Sequence, residues 1–320
     1  MRGGREHMKF CQSMLHETVE LLKGNQLPYS DSILIGENAS GKSEAIKRFM
    51  QEADRVIYFI DAINRNFNIH AVKALGEQLQ YKSSILRKRL EDDHFNLRDS
   101  WAYYGTATEC VELIYPHFEE RIQSLLRSCF GIGFSIYSPE TQEVQYDSGD
   151  IGRISNGYQA IIRILLELLY FQEVNPVKNQ ERALVIIDEI DEYLSPNNAG
   201  KLFELMKKEF PETDFIVTTH SPEVIAVASK CNIIIMHESS VEILDAGDFR
   251  NIDEAMVVFK GVFGRSQNSD GSQYEEILRQ LFNNRIAGIW GENEQRSYAM
   301  INETELTKAE KVLYRQIGAW

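Results

Sequence analysis

Short apolar runs recur along the chain, separated by stretches of helical period. Phe10, Met14, Leu15, Val19 and Leu22 follow one another at helical spacing and Gly24 stops them, so the first thirty residues read as a helix. Ile33, Leu34 and Ile35 form a buried strand ending at Gly36. A helix is expected from Lys42 to about Ala53, then a strand over Val56, Ile57, Tyr58, Phe59 and Ile60. From His70 to Phe130 the pattern is helical and charged. Leu75, Leu79 and Leu86 mark one segment; Val111, Ile114, Phe118, Ile122 and Leu125 mark another.

Residues 134–137 alternate and residues 143–146 answer them across Ser138, Pro139, Glu140 and Thr141, which predicts a hairpin. A long helix follows over about 157–171. The run 183–187 is apolar throughout, as in a strand covered on both faces. Ser195 and Pro196 supply a cap and a first helical residue. Phe215, Ile216 and Val217 form the next strand, and Ile233, Ile234 and Ile235 another.

Strands alternating with helices predict an α/β fold, a mostly parallel sheet flanked by helices. On this reading residues 1–65 and 131–265 form the core and 66–130 an inserted helical lobe. The polar, Gly- and Ser-rich stretch 266–272 opens a linker and a small C-terminal helical tail over 266–320.

Composition narrows the class. The hydrophobic share of 43% suits a globular chain. The longest apolar helix is broken by Arg163 and Glu167, too soon for the ~18–20 residues of a membrane span. The N-terminus lacks the apolar stretch of a signal peptide. Cys11, Cys110, Cys129 and Cys231 form no close pair, which points to a reducing cytoplasm. A net charge of −14 repels phosphate backbones over most of the surface, so nucleic acid is not indicated as a partner. Arg87, Lys88 and Arg89 are the candidate exception, read here as a solvated helix face rather than a nucleic-acid patch.

The chemistry begins at Gly36. Residues Gly36, Glu37, Asn38, Ala39, Ser40, Gly41, Lys42 and Ser43 match G-x-x-x-x-G-K-[ST] in full, with a strand before and a helix after. The glycines let successive backbone N–H groups curl around phosphate oxygens, and the following helix adds its positive end. Lys42 supplies a cation and the Ser43 hydroxyl a Mg²⁺ ligand.

The apolar strand 183–187 delivers Asp188 and Glu189 at its C-terminal end, where open α/β sheets place ligand chemistry. Asp188 is expected to hold Mg²⁺, directly or through water, and Glu189 to orient and deprotonate the attacking water. Asp191 and Glu192 read as a solvated loop. His220 ends the next strand, near an expected γ-phosphate. Ser155 and Gly157 sit at the start of the long helix, either as a plain cap or as an anion site for a nucleotide held by another subunit.

Together these four segments resemble the ABC-type ATPases, and within them the SMC-like and overcoming-lysogenization-defect branch. The resemblance covers residues 32–44 and about 150–237. It implies ATP and Mg²⁺ as ligands. Lys42, Ser43, Asp188, Glu189 and His220 would form one half of a site, and Ser155 and Gly157 would complete that of a partner copy. ATP would then join two copies head to tail. The glutamine that follows the second strand in that family has only Asn64, Asn66 and Gln78 as candidates here, and the loop after Glu189 departs from the transporter pattern. No nuclease pattern follows His220. Small ATPases of this look, Septu-like and retron-associated, serve bacterial anti-phage systems beside a separate nuclease or other effector, and that role is expected here by analogy. A DNA-clamping repair ATPase and an ATP-dependent assembly scaffold are the alternatives.

Overall fold

Period-two alternation in the strands sorts their side chains onto two faces of one sheet, and both faces are buried. The computed structural model describes residues 12–24, 26–72, 85–104, 110–175, 182–237, 239–249 and 251–263, then 274, 277–278, 281, 290–302, 306, 314 and 317–318. The chain divides into two compact units, Met1–Phe263 and Gly264–Trp320.

In the first unit, the strands β1 (Asp31–Gly36), β2 (Ile57–Ile60), β6 (Ala183–Ile187), β7 (Thr213–Thr218), β8 (Cys231–Met236) and β9 (Val241–Asp245) form a six-stranded sheet. Its order is β2-β6-β7-β1-β8-β9. All neighbours run parallel except β9, which returns antiparallel to β8. A separate antiparallel meander joins β3 (Phe134–Ser138), β4 (Glu143–Tyr146) and the two-residue β5 (Ile151–Gly152). The expected hairpin is therefore present. Strands β5 and β9 are additions: one is too short and the other too exposed to leave a clear alternation.

One face of the large sheet presents Ile33, Ile35, Tyr58, Ile60, Val185, Ile187, Phe215 and Val217 to α5 (Tyr115–Leu125), α6 (Asn156–Val174), α7 (Pro196–Glu209), α8 (Pro222–Val227) and α9 (Ile252–Phe263). The opposite face presents Leu34, Ile57, Phe59, Leu184, Ile186, Ile216 and Ile234 to α1 (Gln12–Lys23), α2 (Lys42–Glu52) and α3 (Ile85–Leu90). Each such side chain, once buried, contributes roughly 1.5–3 kcal/mol. Helix α6 is buried without interruption from Ala160 to Phe171. Its two charges survive there because Arg163 Nε donates to Glu167 Oε1 at 2.8 Å, and Tyr58 Oη donates to Glu167 Oε2 at 2.9 Å. Ser195 caps α7 through Asn198 N, with Pro196 at the first helical position as expected.

Between β2 and α5, Trp101 of α4 (Ser100–Tyr104) and the Val111–Ile114 turn join the core shared with α6. Arg89 corrects the reading of a solvated basic face. Its guanidinium is fully buried, donates to Phe95 O, Phe59 O and Arg98 O, and lies 4.5 Å from the Phe59 ring centroid. Arg87 and Lys88 are exposed. Phe10, Cys11, Leu75, Gln78, Leu79 and the expected linker 266–272 lie outside the described residues.

In the second unit, α10 (Glu292–Ala299) accompanies a small apolar cluster of Leu278, Leu281, Ile301, Leu306 and Ile317. The Tyr298 and Tyr314 rings stack there at 4.3 Å.

Candidate functional site

Strand order brings the chemistry together. Strand β7 pairs with β1 on one side and β6 on the other, so the parallel tips of β1, β6 and β7 lie side by side. The loop after β1 carries Gly36–Ser43, the tip of β6 carries Asp188 and Glu189, and the tip of β7 carries Thr218, Thr219 and His220.

The loop after β1 is a tight curl. A Cβ on Gly36 would lie 2.7 Å from both Met236 O and Ser40 Oγ, so only glycine fits. Ala39 and Gly41 adopt φ of 64° and 98°, the left-handed turn that lets neighbouring N–H groups converge. Lys42 is buried at the start of α2, and its ammonium donates to Gly36 O at 2.7 Å and Glu37 O at 3.0 Å. Burial lowers its pKa, against the opposing pull of Asp188, Glu189 and Asp191. Asn38 and Ala39 lie at the exposed crown of the curl.

One residue along, Ser43 Oγ donates to Asp188 Oδ2 at 2.9 Å. The other Asp188 oxygen accepts from Thr218 Oγ1 at 2.6 Å, and the same hydroxyl accepts from Glu189 N at 2.7 Å. Thr218 thus fixes both acids from the neighbouring strand. Glu189 sits at φ 51°, unusual for a residue with a side chain. Burial, followed by Asp188 and Glu192, raises its carboxyl pKa.

Asp191 is not the solvated loop acid expected from the sequence. It accepts from Thr219 Oγ1 at 2.7 Å and from His220 N at 3.1 Å, tying the β6 loop to the β7 tip. Burial, with Lys42 adding to it and Asp191 and Asp188 opposing, lowers the His220 pKa, which favours the neutral imidazole.

Asn96 is the residue that sequence reasoning missed. Its Nδ2 lies 3.3 Å from Ser43 Oγ and 3.1 Å from Asp188 Oδ2. The two other described asparagines considered for this position lie elsewhere: Asn64 donates to Asp61 and Leu97 O, and Asn66 is exposed. No local pattern marks Asn96, which stands in a charged turn more than fifty residues beyond the P-loop. Arg65 is also new. It is buried behind the site with Nη2 on Asp188 O at 3.0 Å.

The arrangement fits Mg²⁺ and a phosphate. Ser40 Oγ is buried in the curl with no hydrogen-bond partner, and the Gly36 position excludes a Cβ. The Ser43 hydroxyl and the Asp188 carboxylate are hard oxygen donors, and the Asn96 side-chain amide, which carries one more oxygen, lies within hydrogen-bond distance of both. Mg²⁺ takes one or two carboxylates and completes its shell with water and substrate phosphate.

Ser155 and Gly157 stand apart from this cluster. Ser155 is exposed at the start of α6 and its side chain makes no capping hydrogen bond, so the plain-cap reading lacks its defining contact. A Cβ on Gly157 would lie 3.2 Å from Tyr193 O, in the loop that follows Glu189.

Residues 62–226, more than half of the chain, match the family described as "AAA domain, putative AbiEii toxin, Type IV TA system". The "Retron Ec83 probable ATPase" of Escherichia coli is 33% identical over 48% of this chain and 30% of its own length. The "Septu protein PtuA" of Bacillus thuringiensis is 29% identical over 35% of this chain and 32% of its own. The alignments span about a third of the length of both relatives. The SMC head domain from Thermotoga maritima is 21% identical over 42% of this chain and 49% of that one, with a TM-score of 0.31. Among the described residues no helix is long and apolar enough to cross a membrane. With a complete P-loop on a mostly parallel sheet, the chain belongs to this AAA-domain family and has the fold of a P-loop NTPase.

Proposed function

We propose that the protein binds ATP with Mg²⁺ at the tips of β1, β6 and β7 and hydrolyses it, and that two copies pair when ATP is bound. The observation that carries the site is the meeting of Ser43, Asp188 and Asn96 within hydrogen-bond distance, beside the Lys42 ammonium. The N–H groups of Gly36 to Ser43 and the Lys42 cation hold the phosphates. Ser43, Asp188 and the Asn96 amide hold Mg²⁺, which neutralises phosphate charge when bound. Glu189, whose raised pKa makes it a better proton acceptor than an ordinary carboxylate, takes a proton from the attacking water. His220, whose backbone N–H is held by Asp191, hydrogen-bonds the γ-phosphate through its imidazole.

Ser155, exposed and without a cap bond, and Gly157 meet the nucleotide of the second copy. In this reading residues 66–130 are an insertion between the two halves of the core, and the tail 266–320 follows it. Septu and retron systems, tied by the sequence resemblance to anti-phage defence, support a regulatory ATPase of the cytoplasm controlling a separate effector such as a nuclease. Burial of Arg89 removes one residue of the trio that offered a basic patch, which speaks against a DNA clamp.

Phosphate release from ATP, with Mg²⁺ and with excess chelator, tests the core of this reading. Wild-type protein should turn ATP over only with the metal, and Lys42→Ala should lose both turnover and tight binding of labelled ATP. Undiminished affinity in Lys42→Ala would remove this lysine, and the site around it, from the function.

A further inference from the structure

Asn96 reaches the metal position from a segment that is pinned on every side. Ala62 N donates to Asn96 O at 3.0 Å, and the buried Arg89 guanidinium holds Phe95 O and Arg98 O, each at 2.9 Å. Ser100 N and Oγ donate to Asp61 Oδ2 at 2.8 and 2.7 Å. A further tie comes from α6. Asp99 Oδ1 accepts from Arg163 Nη2, the same guanidinium that pairs with Glu167. Arg163 is two turns along the helix that starts at Ser155 and Gly157. A single buried side chain therefore connects the helix expected to meet a second copy's nucleotide with the turn that delivers Asn96 to Ser43 and Asp188 of its own chain.

We propose that Asp99, held by Arg163, is a positioning residue for Asn96, so that α6 sets how tightly its own chain holds Mg²⁺ with ATP. The inference rests on the ATP site described above. Its physical basis is that outer partners fix where a metal ligand stands, here by holding the turn that carries Asn96. Displacement of α6 by a second copy would pass through one ion pair into the metal position.

Asp99 suits a test because its side chain is 40% exposed and Arg163 keeps Glu167 as a partner when Asp99 is lost. It also accepts from Trp101 N at 2.9 Å, a local cap that serine can replace. Asp99→Ser therefore keeps the cap and cuts the tie. The readout is equilibrium binding of a fluorescent ATP analogue across a Mg²⁺ titration, with a melting curve as the fold control. The Mg²⁺ midpoint should rise about tenfold in Asp99→Ser, the low end of the effect of outer partners on metal affinity. Binding in chelator should be unchanged. Asn96→Ala should raise the midpoint at least as much, and Asp99→Ser should add nothing in the Asn96→Ala background.

A midpoint that stays put in Asp99→Ser while Asn96→Ala moves it overturns the positioning role. So does an effect that multiplies with that of Asn96→Ala. If Lys42→Ala binds the analogue as well as wild type, the nucleotide site itself falls and this inference with it.

Discussion

Ser43 Oγ and Asp188 Oδ2 lie 2.9 Å apart although 145 residues separate them in the chain. Strand β7, between β1 and β6, sets that distance, because parallel pairing leaves all three strands ending on one edge of the sheet. One carboxylate oxygen faces the P-loop serine and the other faces Thr218, so Asp188 has little freedom to turn away.

Glu189→Gln is expected to keep ATP binding and slow hydrolysis by about 10²–10⁴-fold, the range of a lost general base. Steady-state phosphate release checks it. A loss under about threefold would assign the water to another residue.

The same substitution makes a pH prediction. The folded Glu189 carboxyl holds its proton to higher pH than the unfolded one. The associated stability is complete below the unfolded pKa and is lost as pH rises through the raised folded value. At neutral pH the ionised side chain therefore destabilises the fold. Glu189→Gln should melt above wild type at about pH 7.5, with the gain shrinking toward about pH 4. Equal melting temperatures at the higher pH would contradict the direction of the shift.

Gly157→Arg should spare ATP binding by a single subunit and abolish ATP-dependent pairing and turnover. A side chain there would block the approach of a γ-phosphate held by another chain. Mixing Gly157→Arg with Lys42→Ala subunits leaves one hybrid interface with an intact P-loop opposite an intact Ser155–Gly157 loop, and partial ATPase activity should return. The added Cβ lies close to Tyr193 O, so a melting curve must first establish that the variant folds. Full activity of Gly157→Arg alone would sink the shared site.

Arg89→Ala should cost about 3–5 kcal/mol of stability, since it leaves buried carbonyl oxygens at Phe95 and Arg98 unpaired and opens a cavity under Phe59. Urea unfolding measures it. A cost below about 0.5 kcal/mol, typical of a surface substitution, would return Arg89 to the solvated face.

The sequence by itself determined the features that contiguous residues encode. Gly36 to Ser43 fold into their curl through backbone freedom at fixed spacing, and the apolar run 183–187 needs no distant partner to announce a buried strand with acids at its tip. Ser195 and Pro196 start α7 by the same local logic. Only the tertiary structure decided which distant segments complete the site. Asn96 is one asparagine in a charged turn until Ala62, Arg89 and Ser100 pin that turn beside Asp188. Arg89 and Asp191 look like solvated charges because a lone charged residue in sequence carries no mark of its partner. Their hydrogen bonds, to carbonyls of the following turn and to the β7 tip, exist only once the strands are paired. A curl or a strand is written in neighbouring residues, whereas a coordination shell is assembled from strand order, and order is settled by which apolar faces are buried together.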